Sequence, residues 1–175
     1  IAIGPMPTLA EALRRQPEIA ANARFIGMHG ALRKGHKRER DNVIAEANVI
    51  NDVPACQAVF AADWPVTITP LDTCGIVQLE GEKYRRVAES EDPLARAIIA
   101  HYQTWWERGS EAEHDPDRRR RESSILFDTV AVYLGFSEDL LRMEDLPVSV
   151  TDEGFTCIRE GAKTIRCATD WNDYP

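Results

Sequence analysis

Three side chains in this chain of 175 residues have the types and spacing to hold a small polar ligand. Glu46 and Asn48, in "DNVIAEANVINDVPA" (residues 41–55), stand two positions apart, so in an extended segment both point the same way. A carboxylate beside an amide can clasp a vicinal diol, one as acceptor and the other as mixed donor and acceptor. The same pair also reads as a polar loop with an Asn turn. The third is Asp128, the one carboxylate in "SSILFDTVAVYLGF" (residues 123–136), among Leu126, Phe127, Val130, Ala131 and Leu134. A charge in such surroundings is costly without a partner. Asp128 therefore reads as the N-cap of "TVAVYL" or as a cation ligand. The two roles are compatible, because a helix N-terminus and a cation both favour an anion.

The elements that must position these groups alternate strand and helix. "IAIGP" reads as a short strand, and residues 8–23 as a helix with Thr8 as N-cap and Pro17 as a break. "RFIGMHG" (24–30) is strand-like, and residues 31–50 form a long polar loop. Residues 52–63 read as a helix capped by Asp52 with Pro54 in its first turn, and "PVTITPLD" (65–72) is a β-branched strand. The pattern predicts an α/β fold with an open, mainly parallel sheet flanked by helices. Three helices follow in "GEKYRRVAES", "DPLARAIIAHYQTWWERG" and "FDTVAVYLGF". Then "EDLPVSVTDEG", "FTCIREG" and "KTIRCATDW" read as strands ending in a C-terminal β-hairpin. Ligands of open α/β sheets sit at the C-terminal ends of the strands. Those ends carry Gly4-Pro5, Met28-His29-Gly30 and Leu71-Asp72-Thr73. Residues 110–122 form a charged connector whose four successive arginines read as solvated.

Composition narrows the classes. Hydrophobic residues make up 43% and charged residues 29%, ordinary for a globular chain. A net charge of −8 argues against non-specific nucleic-acid binding. No apolar run reaches the roughly 20 residues that span a membrane. Cys56, Cys74, Cys157 and Cys167 form no C-x-x-C pair, which disfavours zinc and suits reduced thiols in a cytoplasmic protein. A disulfide between Cys157 and Cys167, facing each other across a hairpin, is the minor alternative. The chain opens inside a strand and stops just after another. The expectation is one domain over residues 1–175, the C-terminal portion of something longer, truncated at the N-terminus and at the C-terminus.

Four segments, in order along nearly the whole chain, resemble the nucleoside hydrolases. "IGPMPTLAEALRRQPEI" is similar to the family's "GPLTNLA" segment, and "GMHGAL" to its "MGG" strand end. "AEANVINDVPACQAVFAADWPVTITPLD" is similar to the stretch opening on "AEFN" and closing on "LD", and "LFDTVAVYL" to the "HD" segment. The resemblance implies a Rossmann-like nucleoside hydrolase fold. It implies hydrolysis of the N-glycosidic bond of ribonucleosides to ribose and free base by a calcium-held water, in purine and pyrimidine salvage, with a homo-oligomer expected. Residue by residue it implies that Met28, Glu46, Asn48 and Asp128 hold ribose. It also implies that Asp128 and the backbone carbonyl of Pro7 ligate Ca2+.

The departures matter as much. Phe127 stands where some members carry a histidine that protonates the leaving base, and His29 and His36 are the rim candidates for that task, each with a solvent-facing reading beside it. The family's upstream asparagine falls near Arg40, or near Asn42 with a gap. The "DTDPGxDD" cluster, with further calcium ligands and the general base, is absent, so no catalytic residue is assigned here and the chain alone is expected to be inactive. The alternatives are a non-catalytic nucleoside- or sugar-binding protein, or an inactive fragment with an exposed sheet edge.

Overall fold

The computed structural model describes residues 1–36, 41–108 and 117–174. Contacts divide the chain into two compact units, Ile1–Ile76 with Phe127–Pro175, and Val77–Leu126.

In the first unit, β1 (Phe25–Met28), β2 (Val66–Thr69), β3 (Leu141–Val150), β4 (Thr156–Ile158) and β5 (Thr164–Trp171) form one sheet in the order β1-β2-β5-β3-β4. β2 is parallel to both β1 and β5, while β3 is antiparallel to both β5 and β4. The open sheet is therefore mixed rather than mainly parallel. "IAIGP" contributes one bridge: Ala2 sits opposite Gly27, donates to Ile26 O at 2.8 Å and accepts from Met28 N at 3.0 Å. Pro5 and Pro7 lack the N–H a longer strand would use.

The C-terminal hairpin differs from expectation. β4 and β5 do not pair with each other; β3 lies between them. Leu141 to Pro147 pair with β5, and Val148 to Val150 pair with β4. Pro147 sits at the change of partner, where a missing N–H costs least. Cys157 consequently faces Ser149 and Cys167 faces Glu144, and all four cysteines are free thiols. The Cys157–Cys167 disulfide is excluded because a whole strand separates the two.

Local chemistry explains the helices. α1 (Pro7–Arg15) starts on a proline and stops before Pro17, which opens a 3-10 helix, Pro17–Asn22. α2 (Ala47–Ile50) is a single turn, and α3 (Val53–Ala61) is capped by Asp52, whose carboxylate accepts from Ala55 N at 3.1 Å. α1 packs on α3. Beneath them Phe25, Val59, Phe60, Trp64, Val66 and Ile68 form the main core. Val66 and Ile68 face that core, so Thr67 and Thr69 face the other side of β2. There α4 (Leu71–Cys74) and α7 (Phe127–Tyr133) pack, with Thr69 Oγ1 2.8 Å from Thr73 Oγ1. The C-terminal ends of β1 and β2 are thereby brought beside the starts of α2 and α7.

The second unit holds α5 (Gly81–Ala88) and α6 (Pro93–Arg108). Tyr102, Trp105 and Trp106 stack and cross on α6, and the guanidinium of Arg118 lies 5.5 Å from the centre of the Trp106 ring while pairing with Glu122. Arg118 is thus a packed residue, against the solvated reading, because an aromatic face and a carboxylate both receive it. Residues 110–116 of the connector lie outside the described residues. Among the described residues no helix is long and apolar enough to cross a membrane.

Candidate functional site

The turn after β1 is held by side chains from three other segments. Gly30 N donates to Glu46 Oε2 at 3.1 Å, and Ala31 N donates to Thr156 Oγ1 at 2.9 Å. Leu32 N and Arg33 N donate to the two oxygens of Asp72, at 2.8 and 2.9 Å. Gly30 has φ +85°, and a Cβ there would lie 2.6 Å from Thr156 Oγ1, so glycine is required both for the backbone conformation and for the close approach.

Glu46 and Asn48 do not lie in an extended segment. Glu46 is the N-cap of α2, and its carboxylate also accepts from Asn48 N at 2.8 Å and Val49 N at 3.3 Å. Burial pushes its carboxyl pKa up, three backbone N–H groups pull it down, and the charge of Asp128 raises it again. Asn48 uses its amide nitrogen on Met28, donating to the carbonyl at 3.0 Å and to the sulfur at 3.4 Å. The expectation of parallel side chains on a strand fails because Glu46 caps a helix that Asn48 has already entered.

Asp128 is the second residue of α7. It is inside the first turn, not at the N-cap. The side chain is half-buried, burial raises its pKa, and it makes no hydrogen bond or ion pair among the described residues. A carboxylate in a helical first turn is favoured by the macrodipole, which offsets part of its desolvation.

Met28, Glu46, Asn48 and Asp128 all line one cavity of about 480 Å3. Its wall also includes Ile3, Leu71, Phe127 and His36. These come from the ends of the first bridge, β1 and β2, the loop after β1, and the start of α7. Pro7 is exposed at the first position of α1 and is not on this wall. A carbonyl at that position points along the helix axis. Asn42 is exposed and off the wall, and Arg40 lies outside the described residues.

The two rim histidines part company. His29 is fully buried: Nε2–H donates to Gly4 O at 3.1 Å, the ring packs on Phe25 and Phe60, and desolvation lowers its pKa to about 4. It is a core residue, contrary to both readings at the rim, because strand alternation carries it onto the same face as Phe25. His36 lines the cavity. Asp72, marked in the sequence only by its place in the strand end Leu71-Asp72-Thr73, lies in α4 and holds two backbone amides. Among the described residues no group of three or more His, Cys, Asp or Glu gathers around a metal-sized point. The wall offers oxygen acceptors, the donor type a hard cation takes, with Asp128 the uncommitted carboxylate.

Comparison with known proteins agrees with the order of the motifs. The family model described as inosine-uridine preferring nucleoside hydrolase matches residues 1–173. The chain is 29% identical over 122 residues to the pyrimidine-specific ribonucleoside hydrolase RihA of Shewanella woodyi, covering 65% of this chain and 38% of that protein. It is 22% identical over 182 residues to the probable uridine nucleosidase 2 of Arabidopsis thaliana, covering 100% of this chain and 53% of that protein. The structure superposes on the purine-preferring ribonucleoside hydrolase from Gardnerella vaginalis with a TM-score of 0.74 at 21% identity, covering 97% of this chain and 54% of the other. The chain thus spans about half the length, or less, of the relatives it matches.

Proposed function

The chain belongs to the inosine-uridine preferring nucleoside hydrolase family, and from that premise we propose that its cavity takes the ribose of a ribonucleoside during hydrolysis of the N-glycosidic bond. The observation that carries this reading is the convergence of Met28, Glu46, Asn48 and Asp128, from separate segments, on one wall. In the reaction a water oxygen bonds to C1′, the C1′–N bond breaks, and the base leaves with a proton.

The roles of this chain follow from what each group has free. Asp128 has an unpartnered carboxylate and Asn48 keeps its carbonyl oxygen; both accept from sugar hydroxyls. Glu46 is committed to three backbone amides and acts mainly by fixing the turn and α2 around the sugar. Ile3, Leu71 and Phe127 exclude water from the sugar face. Calcium, when bound, supplies a hard Lewis acid for water and hydroxyls. Asp128 is the residue here that would hold it, whereas Pro7 lies off the wall. The water-activating base and the rest of a six- to eight-oxygen calcium shell are proposed to come from groups other than those on this wall. A homo-oligomeric, cytoplasmic enzyme of nucleoside salvage belongs to the same proposal and rests on the family alone.

A second reading, a nucleoside or sugar binder without turnover, is favoured by Phe127, which puts an apolar ring on the wall and has no proton to give. Saturation-transfer NMR on the purified chain is expected to show binding of ribose and of inosine. A reducing-sugar assay with inosine and uridine is expected to show negligible release by the chain alone. Calcium-dependent turnover at a full enzyme's rate would overturn the division of roles, and absence of any binding would overturn the ribose reading itself.

A further inference from the structure

We propose that His36 faces the nucleobase and donates a hydrogen bond to it, so that this residue lets the site tell a nucleoside from a bare sugar. The inference rests on the ribose reading of the same cavity.

The side-chain inventory of the wall points this way. Asn48 spends its amide nitrogen on Met28, and Asn51 donates back to Ala47 O at 2.7 Å. Glu46 and Asp128 are acceptors when ionised. Phe127, Leu71 and Ile3 offer no polar atom. His36 lines the cavity and makes no hydrogen bond or ion pair among the described residues. The wall therefore carries free acceptors, on Asp128 and Asn48, and, with the second N–H of Asn51, an imidazole that can still donate. A ligand that satisfies both must bring hydroxyl donors and, on the same molecule, an acceptor such as a heteroaromatic nitrogen or carbonyl. A sugar alone fills the first requirement; a sugar joined to a nucleobase fills both.

The position of His36 is set by contact and not by chance of a surface loop. The chain at His36 lies directly on the end of α4. A Cβ at Gly75 would fall 2.9 Å from His36 Cα, 3.2 Å from its Cβ and 2.6 Å from Leu71 O. Glycine at position 75 leaves the space that lets this backbone settle there. His29 cannot take the role, because its Nε2–H is occupied by Gly4 O and the ring is enclosed by Phe25 and Phe60.

The test measures binding of inosine and of ribose to the 175-residue chain by NMR titration, for the natural protein, His36→Ala and His36→Gln. Losing one such hydrogen bond corresponds to about a two- to tenfold change in affinity. His36→Ala is expected to weaken inosine by that factor and to leave ribose unchanged. His36→Gln, which keeps a donor, is expected to recover part of the loss. The imidazole protons of His36 are expected to shift with inosine and not with ribose. Unchanged inosine affinity in His36→Ala, with ribose and inosine still bound, overturns the role of His36 and leaves the ribose reading standing. Equal weakening of ribose and inosine reduces His36 to a structural residue. Failure of the natural chain to bind either ligand overturns the ribose reading, and the base-facing role with it.

Discussion

The turn after β1 and the start of α7 face the same cavity and are built in opposite ways. In the turn, four successive backbone amides, from Gly30 to Arg33, each find a side-chain acceptor on Glu46, Thr156 or Asp72. At the start of α7, Asp128 carries a half-buried carboxylate with no acceptance to make. Buried polar groups that are satisfied hold a shape; those left open in a concave wall remain available to a ligand. Chemical type does not separate the two regions, since Glu46 and Asp128 are both carboxylates with pKa values raised by burial. What separates them is the number of N–H groups already aimed at each.

The sharpest way to break this contrast is to remove the acceptor at the centre of the turn. Glu46→Ala leaves the Gly30 and Asn48 amides without their acceptor, and Val49 N with only the Glu46 backbone carbonyl. It is expected to lower unfolding free energy by about 3–5 kcal/mol, read by urea denaturation. A loss below about 1 kcal/mol would show that the turn does not depend on this carboxylate.

The next effect tests whether His29 belongs to the scaffold side. Its pKa falls from 6.5 to about 4 in the folded chain, because burial disfavours the imidazolium. Between those values the unfolded chain binds the extra proton, so stability is full above pH 6.5 and is lost as pH falls towards 4. One proton gives a slope of at most about 1.4 kcal/mol per pH unit. Glu46 and Asp128, with raised pKa values, act in the opposite direction, losing stability as pH rises through their range. The His29 contribution is therefore read as the difference between the natural protein and His29→Asn across pH 4–7. A difference that does not shrink on acidification would count against a buried neutral imidazole.

The smallest structural effect is expected at Asp128, and that is the point of the comparison. Asp128→Asn should change unfolding free energy by no more than about 0.5 kcal/mol, as for a group with no partner to lose. Under the proposed ribose and calcium reading, the same change is expected to weaken calcium binding about tenfold or more, about 1.4 kcal/mol, with ribose binding lost alongside. Calorimetric titration of calcium separates the outcomes, and an unchanged affinity would return Asp128 to a purely helical role.

Much of the scaffold was legible from neighbours a few residues apart. The β-branched run at Val66–Thr69, the Asp52 cap with Pro54 behind it, and the break at Pro17 depend on local backbone chemistry, and each appears where the pattern places it. The order of motifs along the chain also carried the family, because order survives when individual residues drift. Tertiary structure alone decided the rest. Glu46 is committed through Gly30, sixteen residues away, and the turn is closed by Thr156, 125 residues from Ala31. β3 separates β4 from β5 because long-range pairing, not sequence adjacency, chose its two neighbours. His29 and His36 look alike in the sequence; strand alternation buries one, and packing on Gly75 sets the other on the cavity wall. Local propensity depends on groups within a turn or two of the chain. The difference between a polar side chain that is used up and one that is free depends on partners that only folding brings within hydrogen-bond reach.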